Sequence, residues 1–318
     1  MNRIGISIGD PAGVGPEIAL AALADPGVAE GIRARIFCAP AVLDHLAAQL
    51  DRRAEYDCVA ASDLEPGEFR PGHFDPACAR AQVACLAAAA DALAAGEIDA
   101  LVTGPIHKRA LAICEQVGPG QTEWLADRFG VERAVMMLAG PRLKVVLATT
   151  HLPLREVASR LEIGDLVSIL CLAAREIGRL FGLPSPRLGM AALNPHGEER
   201  GELGLEERTI LQPAIGEARR RGVDVCGPVP ADTLFAQAAA GRFDAAVACY
   251  HDQGLGPLKA LHFAEAVNTT LGLGHVRTSP DHGPAYDIAW QGLADASSMK
   301  AAIRLADEMA TRRAREER

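Results

Sequence analysis

The sequence predicts an α/β protein in which helices cover a mostly parallel sheet. Short apolar stretches typical of buried strands alternate with longer helical stretches from one end of the chain to the other. The chain has 318 residues, 49% of them hydrophobic, which suits a sizeable core and about two domains. Gly118-Pro119-Gly120 is the candidate crossing point between two lobes.

The elements follow from the spacing of apolar residues. Each strand is predicted from a short apolar run that ends in polar residues or glycine, and each helix from a longer stretch with a helical pattern. Pro16 suits the first turn of the first helix, and Gly140-Pro141 suits the turn of a hairpin. In chain order, the predicted elements are strand 4–8, helix 16–23, strand 34–38, helix 41–50, helix 79–95, strand 99–103, a hairpin of 135–138 with 143–149, helix 165–181, strand 188–193, helix 205–221, helix 231–240, strand 245–249 and helix 298–312.

The composition argues against several classes of protein. Lys and Arg total 32 and Asp and Glu total 41, so the formal net charge is −9, and no basic tract suggests nucleic acid. The first residues resemble a strand and not a signal peptide, so we expect a cytoplasmic location. Arg80, Gln82 and Asp91 interrupt the most apolar helix, so we expect no membrane span. The 8 cysteines form no Cys-x-x-Cys pair, and we expect free thiols.

Three histidines lie just beyond predicted strands: His151, His196 and His251. In open α/β sheets, ligands bind at the carboxyl ends of the strands. Three neutral imidazoles there would bind one divalent metal ion and leave an open coordination position. A single histidine after a strand is more often a capping or core residue than a metal ligand. The wide spacing of the three along the sequence leaves both interpretations open.

Other polar segments could bind an anion or a dinucleotide. The loop Gly9 to Glu17 is rich in glycine, but it is not the Gly-x-Gly-x-x-Gly fingerprint of a Rossmann unit, and it could be a simple strand-to-helix turn. Thr122 begins a helix whose backbone amides suit an anion, although an ordinary helix cap explains it equally well. Lys259, Asn268 and Arg277 would suit a phosphate or carboxylate, with surface positions as the alternative.

Taken together, these motifs resemble the 4-hydroxythreonine-4-phosphate dehydrogenase family over nearly the whole chain. The motifs are Gly9-Asp10-Pro11-Ala12-Gly13-Val14-Gly15-Pro16-Glu17, Thr103-Gly104-Pro105, Asn194-Pro195-His196, Pro230-Ala231-Asp232-Thr233, Tyr250-His251-Asp252-Gln253 and Arg277-Thr278-Ser279-Pro280-Asp281-His282-Gly283. The first motif and the loop 282–292 also resemble the wider isocitrate and isopropylmalate dehydrogenase fold. This fold has two α/β/α lobes with a cleft between them, and we expect residues 1–118 plus 295–318 in the first lobe and 119–294 in the second.

The resemblance implies roles for individual residues. It implies that His151, His196 and His251 bind a divalent metal ion (zinc, cobalt or magnesium) at a site shared between the two subunits of a homodimer. The implied substrate-binding residues are Gln121, Thr122, Lys259, Asn268 and Arg277. The implied NAD-binding residues are Asp10, Gly13, His282, Gly283 and Asp287. The candidates for proton transfer are Asp232, Asp252 and Lys259.

One position departs from the family pattern, because Gln121 stands where the family usually has histidine. Glutamine can donate a hydrogen bond to a phosphate, but it cannot carry a positive charge or transfer a proton. The departure bears on the choice of substrate more than on the chemistry.

The activity that the resemblance implies is an NAD-dependent and metal-dependent oxidation of 4-phosphohydroxy-L-threonine. The product is a β-keto acid that decarboxylates to 3-amino-2-oxopropyl phosphate in pyridoxal phosphate biosynthesis. One alternative is the same chemistry on a phosphorylated four-carbon sugar acid, threonate or erythronate 4-phosphate. Another is a metal-dependent phosphohydrolase or lyase that uses no dinucleotide, and a third is a binding protein without catalytic activity.

Overall fold

The computed structural model describes residues 1–114, 120–197 and 201–316 and divides into two compact units. Unit 1 comprises residues 1–134 and 273–318, and unit 2 comprises residues 135–272. The strands are β1 Asn2–Ser7, β2 Ile32–Cys38, β3 Asp57–Ala60, β4 Ala100–Thr103, β5 Val135–Ala139, β6 Lys144–Leu147, β7 Leu188–Ala191, β8 Val225–Val229, β9 Ala245–Ala248, β10 Val267–Leu271 and β11 Arg277–Pro280. The α-helices are α1 Gly15–Leu23, α2 Pro26–Ala29, α3 Pro40–Gln49, α4 Pro76–Ala94, α5 Arg109–Ile113, α6 Gln121–Arg128, α7 Val157–Arg160, α8 Ile163–Phe181, α9 Gln212–Arg220, α10 Ala231–Ala239, α11 His251–His262 and α12 Ser297–Glu316.

Unit 1 contains a parallel sheet with the strand order β3-β2-β1-β4-β11. Ile4 and Ile6 of β1 are fully buried, as expected for a parallel strand that is covered on both faces. Helix α4 begins at a cap in which the Asp75 carboxylate accepts a hydrogen bond from the Ala77 N–H at 2.7 Å. Among the described helices, only α4 is long and apolar enough to cross a membrane, but 61% of that stretch is buried inside the fold, as in a core helix.

Unit 2 contains a mixed sheet with the strand order β10-β5-β6-β9-β7-β8. Strand β5 is antiparallel to β10 and β6, whereas β6, β9, β7 and β8 run parallel to one another. The predicted hairpin is confirmed: the Gly140 N–H donates to the Leu143 carbonyl at 2.8 Å, and β5 pairs with β6. Helix α8 buries one apolar face and ends at Gly182, whose φ of 67° is left-handed and suits glycine.

The α/β class and most of the predicted elements are confirmed, but the chain divides at other residues than the sequence suggested. Residues 119–134 and 273–294, expected in the second lobe, belong to unit 1. Trp124 and Leu125 of α6 are buried in the same apolar cluster as residues of α4. Similarly, the indole N–H of Trp290 donates to the Pro11 carbonyl at 2.9 Å. Residues 118 and 119 of the predicted crossing point lie outside the described residues, so the crossing point stays a prediction.

Candidate active site

The three histidines follow three neighbouring parallel strands of unit 2. Strands β6 and β7 pair on either side of β9, so their carboxyl ends lie at one edge of the sheet. His151 comes after β6 and His196 after β7, while His251 is the first residue of the helix that follows β9. This edge is where open α/β sheets bind their ligands.

Two of these imidazoles lie close together. The ring centroids of His151 and His251 are 5.8 Å apart, with the ring planes tilted by 40°. The Nδ1 atom of His251 is 2.6 Å from the Asp252 Oδ1 atom. A carboxylate that holds one ring nitrogen of a histidine orients the other nitrogen for a metal ion, and this arrangement is common around bound metals.

His196 does not join this pair within metal-binding distance. Among the described residues, no group of three or more His, Cys, Asp or Glu side chains could hold a metal ion. His196 is exposed and has a φ of 56°, a left-handed conformation that is uncommon outside glycine. The donors that do lie together, the imidazoles of His151 and His251 with a carboxylate on His251, are of the kind that a borderline divalent ion prefers. The metal site itself remains a proposal.

Arg277 forms the core of a polar cluster in unit 1. The residue lies on β11 and is only 3% exposed. Its Nε and Nη2 atoms donate to the Thr103 hydroxyl at 3.1 and 2.6 Å, and Nη2 also donates to the Gln121 Oε1 atom at 3.2 Å. Burial lowers the pKa of the guanidinium to about 10, so the group is still charged at neutral pH. The cluster is therefore a fixed positive charge at the end of a strand.

Gln121 holds a defined orientation in this cluster. Its amide nitrogen donates to the Gly104 carbonyl at 3.0 Å, while its amide oxygen accepts from Arg277. The glutamine thus supports the guanidinium, which differs from its predicted role as a phosphate donor. Its neighbour Thr122, at the start of α6, is buried. Thr103 accepts two hydrogen bonds from Arg277, a role that its position at the end of β4 does not reveal in the sequence.

The residues predicted to bind NAD lie in unit 1. Two of them, Asp10 and Gly13, contact the loop 281–291, which contains the other three. Asp10 is fully buried; its carboxylate accepts from the Tyr286 hydroxyl at 2.6 Å and from the Ala12 N–H at 2.9 Å. Burial raises the pKa of Asp10, and these hydrogen bonds oppose that shift. At Gly13, an added Cβ would lie 2.7 Å from the Pro284 side chain. Both residues therefore fasten the loop 281–291.

The exposed face of this loop carries the remaining predicted NAD-binding residues, which are His282, Gly283 and Asp287. Glu17, fully buried, adds to the attachment because its carboxylate accepts from the Trp290 and Ala294 N–H groups, each at 3.0 Å. The sequence indicated Glu17 only as the last residue of the glycine-rich loop. The bonds from Tyr286, Trp290 and Ala294 were not predicted, because their partners lie more than two hundred and fifty positions away in the sequence.

The other predicted residues lie in unit 2. Lys259 on α11 is half-buried, and its Nζ atom is 5.9 Å from the centroid of the Phe263 ring. The Asn268 Oδ1 atom on β10 is buried and has no hydrogen-bond partner in the described part of the chain. Exposed Asp232, at the start of α10, lines a cavity of about 740 Å³ whose other walls include Tyr250 and Gln253. A buried acceptor without a donor is a feature that a ligand can explain.

Comparison with known proteins adds an independent line of evidence. Residues 22–306 match the family described as pyridoxal phosphate biosynthetic protein PdxA. The chain is 44% identical over 324 residues to the 4-hydroxythreonine-4-phosphate dehydrogenase of Desulforapulum autotrophicum, with 97% of this chain and 95% of the relative covered. The crystal structure of 4-hydroxythreonine-4-phosphate dehydrogenase from Klebsiella pneumoniae is similar, with a TM-score of 0.89, 36% identity and coverage of 98% of this chain and 100% of that one. A terephthalate 1,2-cis-dihydrodiol dehydrogenase from Burkholderia xenovorans LB400 gives a TM-score of 0.68 at 30% identity, with coverage of 96% and 98%.

Proposed function

The chain belongs to the family of pyridoxal phosphate biosynthetic proteins, PdxA, and from this premise we propose that it oxidises 4-phosphohydroxy-L-threonine with NAD. The secondary alcohol loses its proton to a base and a hydride to the nicotinamide, which gives a β-keto acid. This acid loses carbon dioxide, because the keto group accepts the electron pair of the breaking bond, and 3-amino-2-oxopropyl phosphate forms. Full-length similarity to dehydrogenases with this named substrate supports the proposal.

The structural observation that carries the proposal is the buried Arg277. A guanidinium held by Thr103 and Gln121 presents a rigid group that is charged at neutral pH, and its planar fork matches a phosphate. Thr122 and the backbone amides at the start of α6 add neutral donors of the kind that bind anions. We assign the phosphate of the substrate to this cluster.

We assign the metal ion to His151, His196 and His251, with Asp252 orienting His251 through its contact with Nδ1. A bound divalent ion supplies a Lewis acid, which lowers the pKa of a hydroxyl group that it coordinates. Asp252 is committed to His251, so we assign the proton of the alcohol to Asp232 or Lys259. The buried Asn268 oxygen is suited to accept a hydrogen bond from the substrate's ammonium or hydroxyl group.

For the dinucleotide, we propose that the exposed residues of the loop 281–291, His282, Gly283 and Asp287, contact NAD. Asp10 and Gly13 have an indirect role, because they hold this loop in place. The Asp10 carboxylate accepts a hydrogen bond from Tyr286, and Gly13 lets Pro284 pack closely against its backbone. NAD binding thus depends on a loop whose inner side is anchored by hydrogen bonds within unit 1.

We further propose a cytoplasmic homodimer that forms through the face of unit 2 made by α10 and α11. The cavity on this face is lined largely by alanine, leucine and proline side chains. Leu261 and Phe263, at the end of α11, are 43% and 81% exposed. An apolar face of this kind is typical of a contact with another protein, and a second copy of the chain is the occupant that we propose.

The proposed activity is tested by an assay of NAD reduction with purified protein and added divalent metal. We expect reduced nicotinamide to form with 4-phosphohydroxy-L-threonine, and the carbon dioxide released should equal the nicotinamide reduced. Measurable NAD binding without any reduction would contradict the proposal, and hydrolysis to free phosphate would favour the phosphohydrolase.

A second candidate is the same oxidation of threonate or erythronate 4-phosphate. It rests on Gln121, a neutral amide at a position where the family usually has an ionisable imidazole. The same assay discriminates the two, because a sugar-acid enzyme would reduce NAD with these compounds and leave the amino acid substrate unchanged.

A further inference from the structure

The loop that carries His196 is held by Glu207, a residue to which no role has been assigned. Glu207 is fully buried. Its Oε1 atom accepts from the Asn194 backbone N–H at 2.6 Å, and its Oε2 atom accepts from the Asn194 side-chain amide at 2.9 Å. Both oxygens of one buried carboxylate are thus used on the residue two positions before His196.

Gln253 holds the same loop from the other side. Its amide nitrogen donates to the Ala192 carbonyl, just after β7, and its amide oxygen accepts from the Cys249 N–H, just after β9, each at 2.7 Å. The Thr149 hydroxyl donates to the Cys249 carbonyl at 2.8 Å, which adds the segment after β6. One network of short hydrogen bonds therefore joins the exits of the three strands that precede the three histidines.

The local backbone is adapted to this network. Glu207 begins a π-helical turn, Glu207–Leu211, a rare feature that often occurs at functional sites. Gly204 has a φ of 138°, a conformation that favours glycine, and an added Cβ would lie 2.4 Å from the Asn194 amide nitrogen, so a side chain there would displace this amide. His196 itself has the left-handed φ of 56°, which a residue with a side chain keeps only where its surroundings fix it.

A purely structural role explains this arrangement poorly. Burying a carboxylate is costly even when its hydrogen bonds are satisfied, and apolar residues could pack the same space. The hydrogen bonds of Glu207 and Gln253 converge on the segment 192–194 and leave the exposed imidazole of His196 beyond it. Such an arrangement fixes the direction of a side chain that must meet a ligand.

We propose that Glu207 and Gln253 are positioning residues that direct His196 toward the metal ion. The inference rests on the proposed function, because it takes His196 as a metal ligand. Residues that orient metal ligands without touching the metal typically change the metal affinity by about 10- to 100-fold when they are replaced.

The test measures metal binding by itself, without turnover. Zinc is titrated by calorimetry into metal-stripped wild type and into the variants Glu207→Gln, Gln253→Met and His196→Ala. Cobalt is added in parallel, because its visible spectrum reports the number and geometry of its ligands. Glu207→Gln removes one acceptor at constant shape, and Gln253→Met removes both hydrogen bonds without a change of charge. Exposed Glu202 and Gln212 supply the matched controls, Glu202→Gln and Gln212→Met.

We expect zinc affinity to fall about 10- to 100-fold in Glu207→Gln and Gln253→Met, with cobalt spectra that move toward that of His196→Ala. The controls should match wild type. Because Gln253→Met leaves the charge unchanged, it separates a positioning role from electrostatic attraction of the metal ion. It also keeps the test decisive if Glu207→Gln does not fold.

Two results would overturn the inference, and they are distinguishable. If His196→Ala loses affinity while Gln253→Met, and Glu207→Gln where it folds, bind zinc and cobalt as wild type does, the positioning role is wrong and the proposed metal site stands. If wild type binds no zinc, or if His196→Ala binds it unchanged, the metal site of the proposed function fails and the inference fails with it.

Discussion

The two units carry their polar residues in different ways. In unit 1, Arg277 is buried with its hydrogen bonds directed to fixed neighbours, as a core residue would be. In unit 2, His151 and His196 are exposed beyond strand ends, and the buried polar group is Glu207, which holds the loop of His196 from behind. In the proposed function, the charged group that binds the phosphate is built into the core, whereas the proposed metal ligands extend from it. We therefore expect damage to the Arg277 cluster to weaken substrate binding and damage to the proposed metal site to slow the chemical step.

The largest effect should come from His251→Ala in unit 2. Loss of one of the three proposed ligands would remove most of the Lewis-acid assistance that a bound ion would give the alcohol, so kcat should fall by about 1,000-fold or more, since metal-bound hydroxyls change their pKa by many units. Steady-state kinetics with saturating metal measure this, with Gln212→Met as the control. If His251→Ala kept a normal kcat in buffer with a chelator, the proposed role of this histidine in the chemical step would be wrong.

The next effect, Arg277→Lys in unit 1, should appear mainly in KM. Lysine keeps the charge but cannot reproduce the planar fork that contacts Thr103 and Gln121, so kcat/KM should fall by about 100-fold through KM. In wild type, KM should be constant at neutral pH and rise above about pH 10, where Arg277 loses its proton. The pH dependence of KM checks both points, and a loss of kcat at unchanged KM would contradict the assignment.

A smaller effect is expected for Gln121→His, which introduces the histidine that the family resemblance leads us to expect at this position. A neutral imidazole can accept the hydrogen bond from Arg277, whereas a protonated one repels the guanidinium. KM for the phosphorylated substrate should therefore acquire a dependence on pH between about pH 6 and 7 that wild type lacks, within about 10-fold. Gln121→Asn is the matched neutral variant. If the histidine variant had the flat profile of wild type, Gln121 would not lie at the substrate site.

The smallest effect should come from Tyr286→Phe, which removes one donor from the buried Asp10 carboxylate. The free energy of unfolding should fall by about 1–3 kcal/mol, because the buried Asp10 Oδ2 atom loses its hydrogen bond from Tyr286. The pKa of Asp10 is already raised by burial, so the folded state favours its protonated form. The ionised Asp10 carboxylate therefore destabilises the folded state at neutral pH. This destabilisation is lost as the pH falls through the raised pKa of Asp10.

Denaturation at pH 4 and pH 7 tests this prediction, with Tyr56→Phe as the control. The loss of stability should be larger at pH 7, and KM for NAD should rise in parallel if the loop 281–291 contacts the dinucleotide. An unchanged KM for NAD in a destabilised variant would confine Tyr286 to a structural role.

Sequence patterns predicted the strand ends well, because an apolar run that stops at polar residues marks the point where a buried strand leaves the core. This rule located His151, His196 and His251 beyond their strands. The short strand β3 was missed because three of its four residues are exposed and it lacks an apolar pattern. The division into units was misjudged because Trp124 and Trp290 pack according to tertiary contacts that no local signal indicates.

The supporting residues of the site were harder to predict than the site residues. Glu207 and Gln253 act through backbone groups 13 and 61 positions away, and their side chains look like ordinary polar residues of a helix. The burial of Asp10 and Glu17 was equally hidden, since a carboxylate near a glycine-rich loop suggests a ligand and not an anchor. Hydrogen bonds between distant segments appear only when the fold is known.

The most direct test of the account is a single assay of NAD reduction with 4-phosphohydroxy-L-threonine and with its dephosphorylated form, each with added zinc and with a chelator. We expect reduction only when both the phosphate and the metal are present, because we assign the phosphate to Arg277 and the metal to the histidines. Reduction that persists in the chelator, or equal rates with and without the phosphate, would contradict it.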